Sequence, residues 1–183
     1  VVSGSPYATE AGVRMLEVAL DLNSPASVAA AAAKVFKAFD RLDALVNNAG
    51  VTLRKSALEI TVDEWDAVMR TNLRGTFLLC QQAGRRWVGQ GRPGCIINIA
   101  SAHGVVGFPG RLVYGVSKAG LIHMTRMLAI EWADHQIRVN AVAPATVDTP
   151  SRAAAFADPK RKKIMLDRIP LHRFATSREV AEA

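Results

Sequence analysis

The sequence predicts an α/β domain built on a parallel β-sheet. Short apolar runs alternate with longer helical patterns along the chain, the order that produces βαβ units. Those runs are near-continuously apolar instead of alternating, which suits strands covered on both faces. Polar residues gather just after the runs, and in such sheets ligands bind beyond the carboxyl ends of the strands.

The elements follow in order. Residues 17–22 read as a short buried strand. Ser24-Pro25 opens a helix to about Phe39, with the hydroxyl as N-cap and proline in the first turn. Residues 44–49 form the next strand. Thr61 and Glu64 make a capping box that starts a long helix to about Val88. The Gly/Pro-rich stretch 89–94 is a turn. Residues 95–100 are a β-branched strand, 111–134 a helix, and 137–143 another strand. Asp158-Pro159 starts one further helix, and Ser177 or Thr176 caps the last.

Composition bounds the function. The chain has 183 residues, 50% apolar and 21% charged, which fits one globular domain, 1–183, with a substantial core. No apolar run approaches the roughly 20 residues that span a bilayer, and the first residues lack the pattern of a signal peptide. Cys80 and Cys95 sit in apolar surroundings and are expected to be reduced thiols, which favours a cytoplasmic location. His123, His135 and His172 have no ligand-like spacing, so no metal site is expected. Trp65, Trp87 and Trp132 are expected in the core or an interface. The formal charge is +7, but the basic residues are scattered. The run at 160–163 lies on a predicted helix without interleaved aromatics to stack bases. Nucleic acid is therefore not expected as a partner, and an anionic cofactor or substrate accounts for the charge.

Tyr114 and Lys118 are four apart on a helix and so share a face. Ser101 ends the preceding strand, with a Gly-rich loop between. A phenol titrates near 10, and a nearby cation favours the phenolate. Such a pair can move a proton in general acid–base catalysis, while a serine hydroxyl bonds a carbonyl oxygen as charge builds on it. Hydride must then come from a cofactor.

Asn47-Asn48-Ala49-Gly50, Asn72, Ser101, Tyr114-x-x-x-Lys118 and Arg138-Val139-Asn140-Ala141-Val142-Ala143-Pro144 together resemble the short-chain dehydrogenase/reductase family in motif, order and spacing, from about residue 16 onward. The resemblance implies a Rossmann-like, doubly wound parallel sheet and an enzyme that uses NAD or NADP to interconvert a secondary alcohol and a ketone on a small molecule. Within the family, the chain is most similar in texture to 3-oxoacyl-carrier-protein reductases and sugar or polyol dehydrogenases. The resemblance implies Ser101 as the catalytic serine and Tyr114 as the acid/base. It implies Lys118 as the residue that favours the phenolate and holds the nicotinamide ribose, and Asn72 as the anchor of a relay water through a local helix distortion. Asp21 matches the acid near the adenine. Asn47, Ala49 and Gly50 match the strand end under the cofactor, and Pro144, Val147 and Thr149 the loop beside the nicotinamide. His103, Phe108 and Arg111 are candidates for the substrate pocket. Ala145 stands where the family usually has glycine, which implies a negative φ there.

The family's first strand with its Gly-rich turn, and its last strand, have no counterpart here. The chain therefore reads as a domain incomplete at both ends, with residues 1–5 a remnant of an earlier strand. A truncated or non-catalytic cofactor-binding protein on the same fold is the competing reading. The helices at 61–88 and 111–134 are apolar on more than one side, which predicts a homo-oligomer, dimer or tetramer.

Overall fold

The computed structural model of the protein describes residues 16–150 and 153–183. The remnant expected at residues 1–5 lies outside them. The chain forms a parallel three-stranded sheet in sequential order, β1 (Ala44–Asn47), β2 (Gly94–Ile99) and β3 (Ile137–Val142). Between them run α1 (Pro25–Ala38, ahead of β1), α2 (Val62–Met69), α3 (Thr76–Gln90) and α4 (Leu112–Glu131). After β3 come β4 (Val147–Asp148), α5 (Ala153–Phe156), α6 (Pro159–Leu166), β5 (Ala175–Thr176) and α7 (Ser177–Ala181), with β4 and β5 paired in parallel.

The helix starts use side-chain chemistry the sequence shows. Ser24 Oγ accepts from Ser27 N, and Pro25 occupies the first turn. Thr61 and Glu64 close a reciprocal capping box, as do Thr176 and Glu179. Asp158 caps α6, again with proline behind it. Each device satisfies amide donors that a helix start leaves unpaired.

Residues 17–22 are not a strand. Residues 16–21 run irregularly and a turn follows. A strand needs a partner backbone to pair its N–H and C=O groups, and no described strand lies alongside. This segment is held by side chains instead: Thr71 Oγ1 donates to Asn23 Oδ1, and Arg74 Nη2 donates to Asn23 O.

The helix expected at 61–88 is continuous but contains one π-turn, Arg70–Gly75, between α2 and α3. Such single turns inside α-helices are frequent at functional sites. The absence of a side chain at Gly75 makes the fit possible here, because a Cβ would lie 2.5 Å from Leu22 O.

The core lies on one face of the sheet. Cys80, Ala83 and Trp87 of α3 and Leu128 of α4 pack on Ile96, Ile137 and Val139. Trp87 is fully buried and its Nε1 donates to Leu42 O at 2.7 Å. Among the described residues the opposite face is less covered: Arg138 and Asn140 are exposed and Val46 is 55% exposed. A polar line crosses the buried side. Asn47 Nδ2 donates to Asn98 Oδ1 (2.8 Å), Asn98 Nδ2 to Thr125 Oγ1 (2.9 Å), and Thr125 Oγ1 to Leu121 O (2.8 Å).

Trp87→Ala removes the largest fully buried side chain and leaves Leu42 O without its donor. It should destabilise the fold by about 3–5 kcal/mol, read as a lowered urea midpoint.

Candidate active site

The carboxyl ends of the strands meet the N-terminal half of α4. Ala100 N donates to Val142 O and Ala102 N to Pro144 O, which ties the ends of β2 and β3 together. The loop after β2 then packs on α4 at Gly104. A Cβ there would lie 2.7 Å from Lys118 C and 2.8 Å from Ala119 N, so only glycine permits this approach. Ser101 and the Tyr114–Lys118 turn are thereby held to one end of the sheet.

Lys118 is 4% exposed, and its Nζ donates to Ile99 O at 2.7 Å. Burial pushes its ammonium down to about 8. The same Nζ lies 5.9 Å from the centroid of the Tyr114 ring. A Cβ on Gly50 would sit 3.5 Å from Lys118 Nζ and 3.2 Å from Asn72 Oδ1. The exposed backbone at Gly50 thus borders both side chains. Ser101 is buried, and its Oγ accepts from His103 N at 3.2 Å, which leaves the hydroxyl hydrogen to donate elsewhere.

Asn72 sits fully buried within the π-turn. Its Oδ1 accepts from Val51 N, and its Nδ2 donates to Val51 O and to Ser117 Oγ. Ser117 Oγ in turn donates to Tyr114 O at 2.8 Å. The Asn72 side chain is therefore occupied in bracing the loop after β1 against α4. Ser117, which the motif reading did not single out, joins this network. Its signal was a small hydroxyl on the helix face between Tyr114 and Lys118.

The three pocket candidates stand around one cavity of 470 Å³, together with Lys55, Leu112 and Val116. His103 meets the Tyr114 ring edge-on at 6.1 Å and the Phe108 ring at 5.4 Å. Arg111 Nη1 donates to Thr52 Oγ1.

The cofactor candidates are more dispersed. Ala49 and Gly50 are exposed at the end of β1, whereas Asn47 is buried in the polar line beneath. Pro144 borders the loop after β2, and Val147 is fixed by the pairing of β4 with β5. Thr149 is half-buried beyond β4. Ala145 is not among the residues with positive φ, which outside glycine are Gln136 and His172 among the described residues. Asp21 lies in the turn before α1, where its carboxylate accepts from Asn23 N and Asn23 Nδ2.

Residues 3–183 match the family model described as enoyl-(acyl carrier protein) reductase. The chain belongs to the short-chain dehydrogenase/reductase family. Among relatives of this family, it is 38% identical over 175 residues to a 2-dehydro-3-deoxy-D-gluconate 5-dehydrogenase of Dickeya dadantii, covering 94% of this chain and 68% of that one. It is 39% identical over 174 residues to a 3-oxoacyl-[acyl-carrier-protein] reductase of Aquifex aeolicus, covering 95% and 69%. A solved gluconate 5-dehydrogenase from Burkholderia cenocepacia, in complex with NADP and tartrate, is similar with a TM-score of 0.84 and 29% identity, covering 89% of this chain and 64% of that one. The chain thus spans about two thirds of the length of these proteins. The curated relatives are named dehydrogenases and reductases, so the family is one of oxidoreductases with a Rossmann-like sheet. No helix among the described residues is long and apolar enough to cross a membrane.

The depressed Lys118 value carries a stability consequence. Between about 8 and 10.4 the unfolded chain holds a proton on this lysine that the folded chain has lost. Folding is therefore favoured as pH rises through that window. Below it, the full cost of burying the charge remains. Relative to Lys118→Met, the wild type should gain up to about 3 kcal/mol of stability from pH 7 to 10, read by urea unfolding at each pH.

Proposed function

We propose that the whole protein interconverts a secondary alcohol and a ketone by hydride transfer to or from NAD or NADP, with Tyr114 as the acid/base. The substrate is of the 3-oxoacyl-thioester or the sugar and polyol type. The observation that carries this reading is Lys118: a buried ammonium, anchored on Ile99 O, next to the Tyr114 ring and beside the bare backbone of Gly50.

The donor set fits a nicotinamide nucleotide. Lys118 has three N–H donors, and one is spent on Ile99 O. The others are available to ribose hydroxyls at the strand ends, where Ala49 and Gly50 present exposed backbone. A related structure solved with NADP supports this choice of cofactor. When bound, the nicotinamide supplies or accepts the hydride, which no side chain can do.

The chain's own groups handle the proton and the charge. In the oxidative direction, Tyr114 takes the proton from the substrate hydroxyl as the carbonyl forms. In reduction it returns that proton to the oxygen. Ser101 donates its hydroxyl hydrogen to the same oxygen, where negative charge is greatest. Lys118 places its positive charge beside the Tyr114 ring. Asn72 and Ser117 hold the π-turn and α4 at fixed separation, which keeps these groups in position.

A homo-oligomer, dimer or tetramer, is part of the proposal. Val116 (39% exposed), Met127 (52%) and Ile130 (76%) leave apolar surface open on α4. Beside it an open groove of 590 Å³ is lined by Met69, Leu73, Phe77 and Met124 together with Asp66, Arg70, Arg74 and His123. The exposed apolar residues of α4 support this reading. The two free cysteines fit a reducing, cytoplasmic setting.

Tyr114→Phe keeps the ring but removes the transferable proton. It should lower kcat by roughly 10²–10⁴ with little change in cofactor affinity by fluorescence titration. Lys118→Ala should reduce both. Equal losses of cofactor affinity in the two variants would overturn these assignments. Light scattering behind a sizing column should give a dimer or tetramer of the whole protein, and a monomer at micromolar concentration would refute the assembly.

A further inference from the structure

Tyr114 holds its proton at the far end of a side chain that turns about two bonds. A small rotation about Cα–Cβ moves the phenol oxygen further than any other atom of the ring. A misplacement of about 1 Å at a reacting group can cost roughly 10²-fold in rate. Tyr114 is half-buried, so the core does not fix its ring unaided. Lys118 Nζ lies 5.9 Å from the ring centroid, and the His103 imidazole stands 6.1 Å away with the two planes at 75°. The ammonium is a point charge, which leaves the tilt of the phenol free. The imidazole is a rigid plane set across it, an arrangement that aromatic pairs favour.

His103 is itself held firmly. Its backbone N–H donates to Ser101 Oγ at 3.2 Å. Its carbonyl rests against α4 at the residue after Tyr114, where a Cβ on Gly115 would sit 3.0 Å from His103 O. The following residue, Gly104, lies against the backbone of Lys118. The imidazole also packs on Phe108, with centroids 5.4 Å apart at 52°, and the Arg168 guanidinium lies 5.5 Å from the Phe108 centroid. One residue thus touches the side chains of both Ser101 and Tyr114 from a fixed backbone.

We propose that His103 is a positioning residue for the proton transfer: its ring sets the angle of the Tyr114 phenol, and its amide sets the Ser101 hydroxyl. This rests on Tyr114 being the acid/base. His103 moves no proton of its own in this role. The amide belongs to the backbone and survives a change of side chain. The ring contribution is lost in His103→Ala and kept in His103→Phe.

Steady-state kinetics of the whole enzyme with NADPH test it. The probes are acetoacetyl-CoA, D-fructose and dihydroxyacetone, and the one that the wild type reduces fastest is used throughout. His103→Ala should lower kcat by about 3- to 10-fold, the range that one edge-on aromatic pair supplies. KM, NADPH affinity and the melting temperature should stay close to wild type. His103→Phe should restore at least about half of kcat, because the ring is back. If His103→Ala melts below the assay temperature, His103→Leu, which fills the space without a plane, takes its place. In a Tyr114→Phe background the same change should cost less than about twofold, since the proton that the ring aims is gone. A wild-type kcat in His103→Ala would overturn the proposal. So would a loss that His103→Phe leaves unrepaired, a loss carried by KM, or an equal loss in the two backgrounds. Tyr114→Phe at the wild-type rate would instead sink the acid/base reading, and a wild type that reduces none of the probes would overturn both.

Discussion

The hydrogen bond from Lys118 Nζ to Ile99 O joins the helix that bears the acid/base to the strand that ends at Ser101. A lysine is almost never fully buried without a partner. Among the described residues its hydrogen-bond partner is a single backbone carbonyl, Ile99 O, and no carboxylate pairs with it. The cost of desolvation is visible in the ammonium, pushed down to about 8. The arrangement is tolerable because it is close to neutral range, and useful because a cation held by a strand end cannot drift from the neighbouring phenol.

The rest of the site is built to hold that geometry. Gly104 lets the loop after β2 touch the backbone of α4 at Lys118 itself. On the other side, Asn72 bridges Val51 and Ser117, and Ser117 is tied back to Tyr114 O. The bonds from Asn72 to Val51 and from Ser117 to Tyr114 O join side chains to backbone, the bond from Asn72 to Ser117 joins the two side chains, and buried polar groups persist when their partners are in place. The π-turn brings Asn72 into this bridge while Gly75 accepts Leu22 at close range.

Much of this could be read in the sequence because the signals are local. Caps at Ser24, Thr61, Asp158 and Thr176 are side chains acting on amides two or three residues away, and the structure shows each in use. The three apolar strands and the Tyr114–Lys118 spacing are equally local patterns. What could not be read depends on distant partners. Residues 17–22 have strand composition but no described backbone to pair with. Ser117 gains its role only once Asn72 arrives from the π-turn, 45 residues earlier in the chain. Asn47, in a motif shared with cofactor contacts, turns out to be committed inward to Asn98 and Cys80. Arg168 reaches Phe108 through tertiary packing that no spacing announces.

The polar line through the core has a consequence for how the chain finds its fold. Parallel apolar strands are nearly interchangeable as greasy surfaces, and packing alone discriminates weakly between alignments. Asn47 lies opposite Asn98 in the ladder, and their amides bond across it. A slip of one residue would turn one amide to the other side of the sheet and leave both without their partner. The pair therefore favours the native alignment, in which the line extends to Thr125 on α4 and on to Leu121 O.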